Sequence, residues 1–290
     1  MRVLILGCGY TGTWLARSLQ AQGIDVVITN RRGKPPPELS HVPCFRFAWE
    51  PQGEQVPLDS AALEGVTHIL NSIPPDRQGE DAVALALLPQ LEKLNLQWFG
   101  YLSTTGVYGD RQGGWVDETT SVNPQNLRSQ HRVSIEQTFL NANLPTHIFR
   151  LPGIYGPGEG RNPITRILKG NVQLIDKPGH YFCRIHVEDI VQTLERSLTQ
   201  PTPQEIYNLS DDQPSESLPV LLEAYRLLGR PAPPAVPLEA ANLSPMAQSF
   251  WRESRRVRND KIKQVLGVKL RYPSYREGLA AIVRELSPVN

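Results

Sequence analysis

Cysteine is scarce in this chain, with 3 in 290 residues, and an odd count without paired spacing argues against a disulfide framework. Cys8, Cys44 and Cys183 read as reduced thiols, as expected of a cytoplasmic protein. An excess of one charge is missing too: 30 Lys and Arg stand against 29 Asp and Glu, for a formal net charge of +1. Such balance offers no basic face for nucleic acid and no polybasic run for a membrane surface. No apolar stretch approaches the roughly 18 unbroken residues of a membrane span. The first strand begins at residue 2, so no secretory leader is expected ahead of it. Neither His-x-x-x-His nor Cys-x-x-Cys occurs, and no metal site is expected. The absence of a Gly-x-Ser-x-Gly elbow removes one signature of hydrolysis. What remains is an ordinary composition, 40% hydrophobic and 20% charged, in a chain long enough to bury a sizeable core.

The informative residues come first. The apolar run Arg2-Val3-Leu4-Ile5-Leu6 ends in Gly7-Cys8-Gly9-Tyr10-Thr11-Gly12, followed by a helical pattern with Leu15 and Leu19 on one face and then by Ile24 to Asn30. Alone, Gly-x-Gly-x-x-Gly is weak; between a strand and a helix in a βαβ unit of this size it reads as a dinucleotide-binding loop. Gly7 permits the tight turn, Gly9 lets a pyrophosphate approach the backbone, and Gly12 lets the helix pack close to the sheet. The helix N-terminus adds free N–H groups and the positive end of its dipole. Cys8 lies in this loop, either as a thiol whose pKa the helix lowers or as a small loop side chain.

The strand ending at Asn30 carries no Asp or Glu to accept from a ribose 2′-hydroxyl, the feature that accompanies NAD. It runs instead into Arg31-Arg32. Two guanidiniums suit a 2′-phosphate through charge-assisted bonds, so Asn30, Arg31 and Arg32 point to NADP(H) ahead of NAD. A solvated basic turn is the plain alternative.

Beyond a Pro-rich loop, Lys34-Pro35-Pro36-Pro37, short strands are expected near Cys44 to Ala48 and over Val66 to Ile73, the latter ended by Pro74-Pro75. Apolar spacing predicts a helix over Ala82 to Leu94, kinked at Pro89, and a strand over Gln97 to Ser103. A helix over Val133 to Leu140 and a strand over His147 to Leu151 follow. The alternation means an α/β fold with a doubly wound parallel sheet. It breaks at the Pro and Gly cluster from Pro152 to Gly160. A helix from His186 through Leu198 and a strand over Glu205 to Leu209 come next, then a Pro-rich stretch around Arg230 to Pro237 and two short helices. The Pro-rich stretch is either a mobile lid or an extended surface crossing. We expect a nucleotide-binding Rossmann domain over residues 1–152 and a smaller, interleaved substrate domain over 153–290, with 184–210 returning to the Rossmann core.

Five segments together resemble one family. The glycine loop, Leu102-Ser-Thr-Thr-Gly-Val-Tyr-Gly-Asp110, Arg150-Leu-Pro-Gly-Ile-Tyr-Gly-Pro-Gly158, Arg184-Ile-His-Val-Glu-Asp-Ile190 and Ile206-Tyr-Asn-Leu-Ser-Asp211 are similar to the extended short-chain dehydrogenase/reductases, the NAD-dependent epimerase/dehydratase group. The resemblance implies a Rossmann fold with a C-terminal substrate part. Tyr10, Thr11, Ser72, Ile73 and Pro152 join the expected coenzyme contacts. It also implies that Thr104, three residues before Val-Tyr-Gly, donates its hydroxyl to the reacting oxygen of the substrate. Turn capping is the plain reading of that threonine. A homodimer through two helices is a further implication, with Ala82 to Leu94 and Val133 to Leu140 in the matching places.

The departures are as telling. The family places a Tyr and a Lys four residues apart on one helical face, so that the ammonium eases proton exchange by the phenol. Counting back from Glu136 puts Arg132 at the Lys position and Arg128 at the Tyr position. Arginine stays charged and supplies no proton. Arg132 is expected to hold the nicotinamide ribose hydroxyls and Arg128 to clamp a carboxylate or phosphate, unless both belong to an exposed face of ion pairs with Glu136. Proton handling then falls to Tyr108, His131, Tyr155 or a water held by Thr104. Nucleotide-sugar members carry an arginine where this chain has Phe182, while Arg184 stands two residues later. It is a candidate to take an anion, or to pair with Glu188 or Asp189. The expected function is an NADP(H)-dependent oxidoreductase or epimerase-like enzyme acting on a small anionic or sugar-like substrate. The alternative is a non-catalytic protein that senses NADP(H) and engages a partner protein.

Overall fold

The computed structural model describes residues 1–50, 52–170 and 172–286. Its centre is a parallel sheet of seven strands: β1 (Arg2–Leu6), β2 (Asp25–Asn30), β3 (Cys44–Arg46), β4 (His68–Asn71), β5 (Trp98–Thr104), β6 (Thr146–Leu151) and β7 (Glu205–Asn208). The order across the sheet is β7-β6-β5-β4-β1-β2-β3. Strand order reverses at β1, and the crevice beyond the carboxyl ends of β1 and β4 is where open sheets of this kind take ligands. Parallel strands are covered on both faces and so read as unbroken apolar runs. Val3, Leu4, Ile5 and Leu6 are all fully buried, each worth about 1.5–3 kcal/mol against exposure.

One face is covered by α1 (Tyr10–Ala21) and α6 (Val187–Thr199), which share a core with the sheet through Leu15, Leu19, Ile190 and Leu194. The other is covered by α2 (Ala82–Ala86), α3 (Leu88–Leu91) and α4 (Leu127–Asn141), through Val83, Leu91, Ile135 and Phe139. The helix expected over Ala82 to Leu94 is therefore two short pieces. Leu87 caps both, because Pro89 supplies no N–H to continue the first. Conversely α4 starts six residues before the expected Val133. Asn126 caps it by accepting from the Ser129 amide at 2.9 Å, a polar start that apolar spacing does not reveal.

The segment 184–210 runs from a short parallel pair, Gly153–Tyr155 with Arg184–His186, through α6 into β7, which pairs with β6. Beyond it lie α7 (Ser217–Leu227), α8 (Pro245–Phe250), α9 (Asp260–Gln264) and α10 (Tyr275–Leu286). α5 (Pro163–Leu168), α7 and α10 enclose a second core containing Tyr155, Ile164, Val220 and Leu279. The Pro-rich stretch is an extended crossing: Val236–Pro237 pairs with Ile175–Asp176. No helix among the described residues is long and apolar enough to cross a membrane.

Candidate functional site

The glycine loop has the backbone that its sequence demands. Gly7 adopts φ +81, and a Cβ there would lie 2.6 Å from the Ile73 side chain. Its N–H donates to Thr29 Oγ1 at 3.1 Å. A Cβ on Gly12 would meet Ile5 Cγ2 at 3.1 Å, which accounts for the close seat of α1 on β1. Around Gly9 the nearest atom to a Cβ would be 4.0 Å away, and no side chain caps α1. Open backbone at Gly9 and uncapped first-turn amides at Tyr10, Thr11 and Gly12 fit a pyrophosphate. Cys8 is not activated: burial pushes its thiol up to about 11.

Across the crevice, the Ser72 amide is held by the Leu6 carbonyl at 2.9 Å and the Ile73 amide by Asn71 Oδ1 at 3.0 Å. Asn71 donates in turn to both oxygens of Asp81, each at 3.2 Å. Burial raises the Asp81 carboxyl, while its bonds to the α2 amides and to Asn71 pull the other way. These bonds hold the Ser72–Ile73 ledge against the loop.

At the end of β2, Asn30 Oδ1 accepts from the Arg32 amide at 2.9 Å and Asn30 Nδ2 donates to the Lys34 carbonyl at 2.7 Å. The turn so fixed presents Arg31, Arg32 and Lys34, and β3 adds Arg46, in one shallow depression that also includes Glu54. Arg31 reaches Glu50 only at 3.8 Å, with 79% of its side chain exposed, whereas Arg46 is paired with Glu54. The sequence marks Lys34 only as the start of a Pro-rich loop and gives no sign of Arg46. The pairing of Asn30 with Arg46 across β2 and β3 is what brings Arg46 in.

A cleft of about 770 Å³ opens beyond β5 and runs to α8. Thr104, Pro152, Arg128 and Arg132 all line it. Thr104 Oγ1 accepts from the Gly106 amide at 3.1 Å, so the threonine does cap a turn while also facing the cleft. Arg132 donates to the Leu102 carbonyl at 2.7 Å and the Tyr101 hydroxyl at 3.0 Å. Arg128 is exposed and its guanidinium lies 5.1 Å over the Phe250 ring. Ser129, missed in the sequence, lies between them on α4 and faces the same cleft. Arg166, Arg184 and Arg255 bring the lining arginines to five, against one acid, Glu253. That acid is already engaged, with Arg255 at 2.8 Å and Asn126 at 2.8 Å. Arg184 donates to the carbonyls of Phe182 and Ser215; Glu188 pairs instead with Arg271, and Asp189 accepts from the amides of Arg271 and Tyr272. An unbalanced group of guanidiniums over an apolar wall of Phe250, Trp251 and Leu243 is chemically a receptor for an anion with an apolar body.

Three candidate proton carriers lie elsewhere. Tyr108 is fully buried; its hydroxyl donates to Asn208 at 2.8 Å and accepts from Arg150 at 3.0 Å. The Tyr155 hydroxyl donates to the Ser274 carbonyl at 3.3 Å inside the second core. His131 packs against Gly79, where a Cβ would come within 2.4 Å of the imidazole, and it is not among the residues lining the cleft. Glu136 faces inward rather than forming an exposed ion-pair face: it is fully buried and bonds Arg150.

A seven-stranded parallel sheet with a glycine loop at its reversal point defines a nicotinamide-dinucleotide fold of the extended short-chain oxidoreductase type. The model of the NAD dependent epimerase/dehydratase family matches residues 3–210, and the chain belongs to that family. It is 44% identical to a functionally unknown conserved protein from Silicibacter pomeroyi, with 98% of each chain covered and a TM-score of 0.87. It is 23% identical over 316 residues to a 3-diazoavenalumate denitrifying reductase from a Streptomyces species, covering 96% of this chain and 99% of the relative. The UDP-glucuronic acid 4-epimerase of Bacillus cereus, solved in complex with NAD, shares the fold at 18% identity, with 99% of each chain covered and a TM-score of 0.75.

Proposed function

We propose that this chain is an atypical NADP(H)-dependent oxidoreductase that reduces a small anionic substrate in the arginine-lined cleft. The observation that carries the reading is the meeting of two features: an open glycine loop beside a four-cation depression, and a cleft whose lining has five arginines and one acid. The coenzyme, when bound, supplies the hydride. The chain's own part is to seat the pyrophosphate on the amides of Gly9 to Gly12 and the 2′-phosphate among Arg31, Arg32, Lys34 and Arg46. Arg132 faces the nicotinamide ribose, and Thr104 donates to the reacting oxygen. Arg128 and Arg166, with no ion-pair partner among the described residues, hold the substrate anion. The similarity to a reductase supports the direction of the chemistry.

The test is calorimetry with NADPH and NADH, followed by stopped-flow absorbance of NADPH with a panel of carbonyl compounds with and without a carboxylate. Tighter NADPH binding and faster oxidation by the carboxylates are expected. No heat with either coenzyme, or no oxidation by any member, overturns the reading. We extend the proposal to a cytoplasmic homodimer with α2 and α4 at the contact, supported by Leu85 and Leu127, which are 49% and 62% exposed on those helices. Sedimentation velocity, with Leu85→Glu and Leu127→Glu as controls, distinguishes dimer from monomer.

A further inference from the structure

With Tyr108, His131 and Tyr155 placed elsewhere, the hydroxyls of Thr104, Thr105 and Ser129 remain where β5 and α4 line the cleft, and Ser129 has no role in the reading above. Ser129 is 3% exposed. Its amide is held by Asn126, but its hydroxyl has no hydrogen-bond partner among the described residues, and the residue lines the cleft. Thr104 Oγ1 accepts from the Gly106 amide, which leaves its proton free to point outward. A Cβ placed on Gly106 would stand 2.6 Å from Ser129 Oγ and 3.3 Å from Thr104 Oγ1. Both oxygens thus lie close to one point just off the backbone. Gly106 is not one of the glycines with positive φ, so the missing side chain reflects space rather than conformation. A hydroxyl that opens on a cleft without a protein partner is available to donate to a ligand there.

We propose that Ser129 and Thr104 form a paired-hydroxyl oxyanion site, with Ser129 the donor that the motif does not show. The inference rests on the oxidoreductase reading above. The acceptor carbon gains a hydride from the reduced nicotinamide, the C=O π pair moves onto oxygen, and the two O–H groups donate to that oxygen as its charge develops. Arg132, on the same wall, adds positive charge. The oxygen takes its proton from water. Neither hydroxyl ionises near neutral pH, so the pair stabilises an oxyanion and is a poor base for removing a proton from an alcohol. The site is therefore built for reduction of activated carbonyls and not for the reversible alcohol oxidation that epimerisation needs.

The probe is 4-nitrophenol, whose phenolate absorbs in the visible. It is titrated into the protein with and without NADP+ across pH 5 to 9, alongside calorimetry of NADP+ itself. The wild type is expected to bind phenolate at least tenfold more tightly than phenol. Ser129→Ala and Thr104→Ala are each expected to reduce that preference by about tenfold, with coenzyme heat unchanged in both and melting temperature unchanged in Ser129→Ala, whereas Thr104→Ala also loses the cap on the Gly106 amide. Absence of phenolate preference in the wild type, or a preference that Ser129→Ala does not move, overturns the proposal. Missing coenzyme heat with an intact phenolate preference would sink the coenzyme reading alone, and normal heat with an unmoved preference would sink the hydroxyl pair alone.

Discussion

The carboxylate of Glu136 on α4 and the guanidinium of Arg150 on β6 meet at two points inside the core, Nη2 to Oε2 at 2.7 Å and Nε to Oε1 at 3.1 Å. Ser103 donates to the same carboxylate at 2.5 Å, and Arg150 also donates to Tyr108. Burial opposes the Arg150 charge, but its bonds to Glu136 raise the guanidinium above its ordinary value. The pair ties α4, β5 and β6 together just below Thr104 and Ser129. Glu136→Gln strands a buried cation and is expected to lower stability by about 3–5 kcal/mol, read from urea unfolding. Glu136→Leu with Arg150→Met should recover most of that loss, because an apolar pair has no charge to desolvate.

Coenzyme choice should respond to the exposed arginines after β2. Each charge-assisted bond to a phosphate is worth about 1.5–3 kcal/mol, so Arg31→Ala with Arg32→Ala, which removes two, is expected to weaken NADPH binding by about a hundredfold or more and leave NADH within about threefold. Calorimetry reads this directly. Raising the salt concentration should narrow the wild-type preference for NADPH, since the depression is open to solvent.

Asp211 makes stability depend on pH in an unusual sense. Burial pushes its carboxyl up to about 8, with Arg184 pulling it back only partly, and its Oδ2 has no hydrogen-bond partner. The folded state thus holds a proton that the unfolded state has released between about pH 4 and pH 8. Stability from this group is full below the lower value and is lost as pH rises to the upper one. Asp211→Asn should therefore gain on the wild type by about 1.4 kcal/mol per pH unit from pH 5 to 7, measured as the difference between two urea midpoint series. Buried His147, His180 and His186, each held near 4 by desolvation, act in the opposite sense. Acidification from 6.5 to 4 should destabilise both proteins.

Gly7→Ala tests the loop itself. The new methyl group would need φ +81 and would lie 2.6 Å from Ile73 Cγ1, so a stability loss of about 1–3 kcal/mol is expected. The displaced Ile73 would also disturb the coenzyme ledge. A melting curve and NADPH calorimetry on one preparation read both effects, and an unchanged coenzyme affinity would show that the loop does not touch the dinucleotide.

The parts of this design legible in sequence are local ones. Gly7, Gly9 and Gly12 are close in the chain, and they answer local needs, a positive φ at Gly7, an open backbone at Gly9 and a close helix seat at Gly12, so the loop and the alternating sheet are legible directly. Arg31 and Arg32 were visible as neighbours, whereas Arg46 reaches the depression through strand register, which residue spacing does not encode. Glu136 illustrates the limit from another side. On a helix with weak apolar periodicity a carboxylate reads as solvated, and its burial is accounted for by Arg150, fourteen residues on in the next strand, together with Ser103. Ser129 carries no signal in the sequence, because its meaning comes from its approach to Gly106, where a Cβ would stand 2.6 Å from its hydroxyl oxygen. The sequence does not announce α7, and beyond the Pro-rich stretch three helices, α8, α9 and α10, stand where two short ones are expected; the core shared by α5, α7 and α10 joins segments far apart in the chain.

The Tyr10 hydroxyl, at the first residue of α1, donates to the Pro157 carbonyl at 2.8 Å, and burial pushes its phenol up to about 12, so the proton stays in that bond at any physiological pH. One hydrogen bond thus moors the start of α1 to the turn around Pro157, which Asn162 braces ahead of α5 through the carbonyls of Gly156 and Gly158. A displacement of one of these two segments is therefore passed to the other, although 147 residues separate them in the chain.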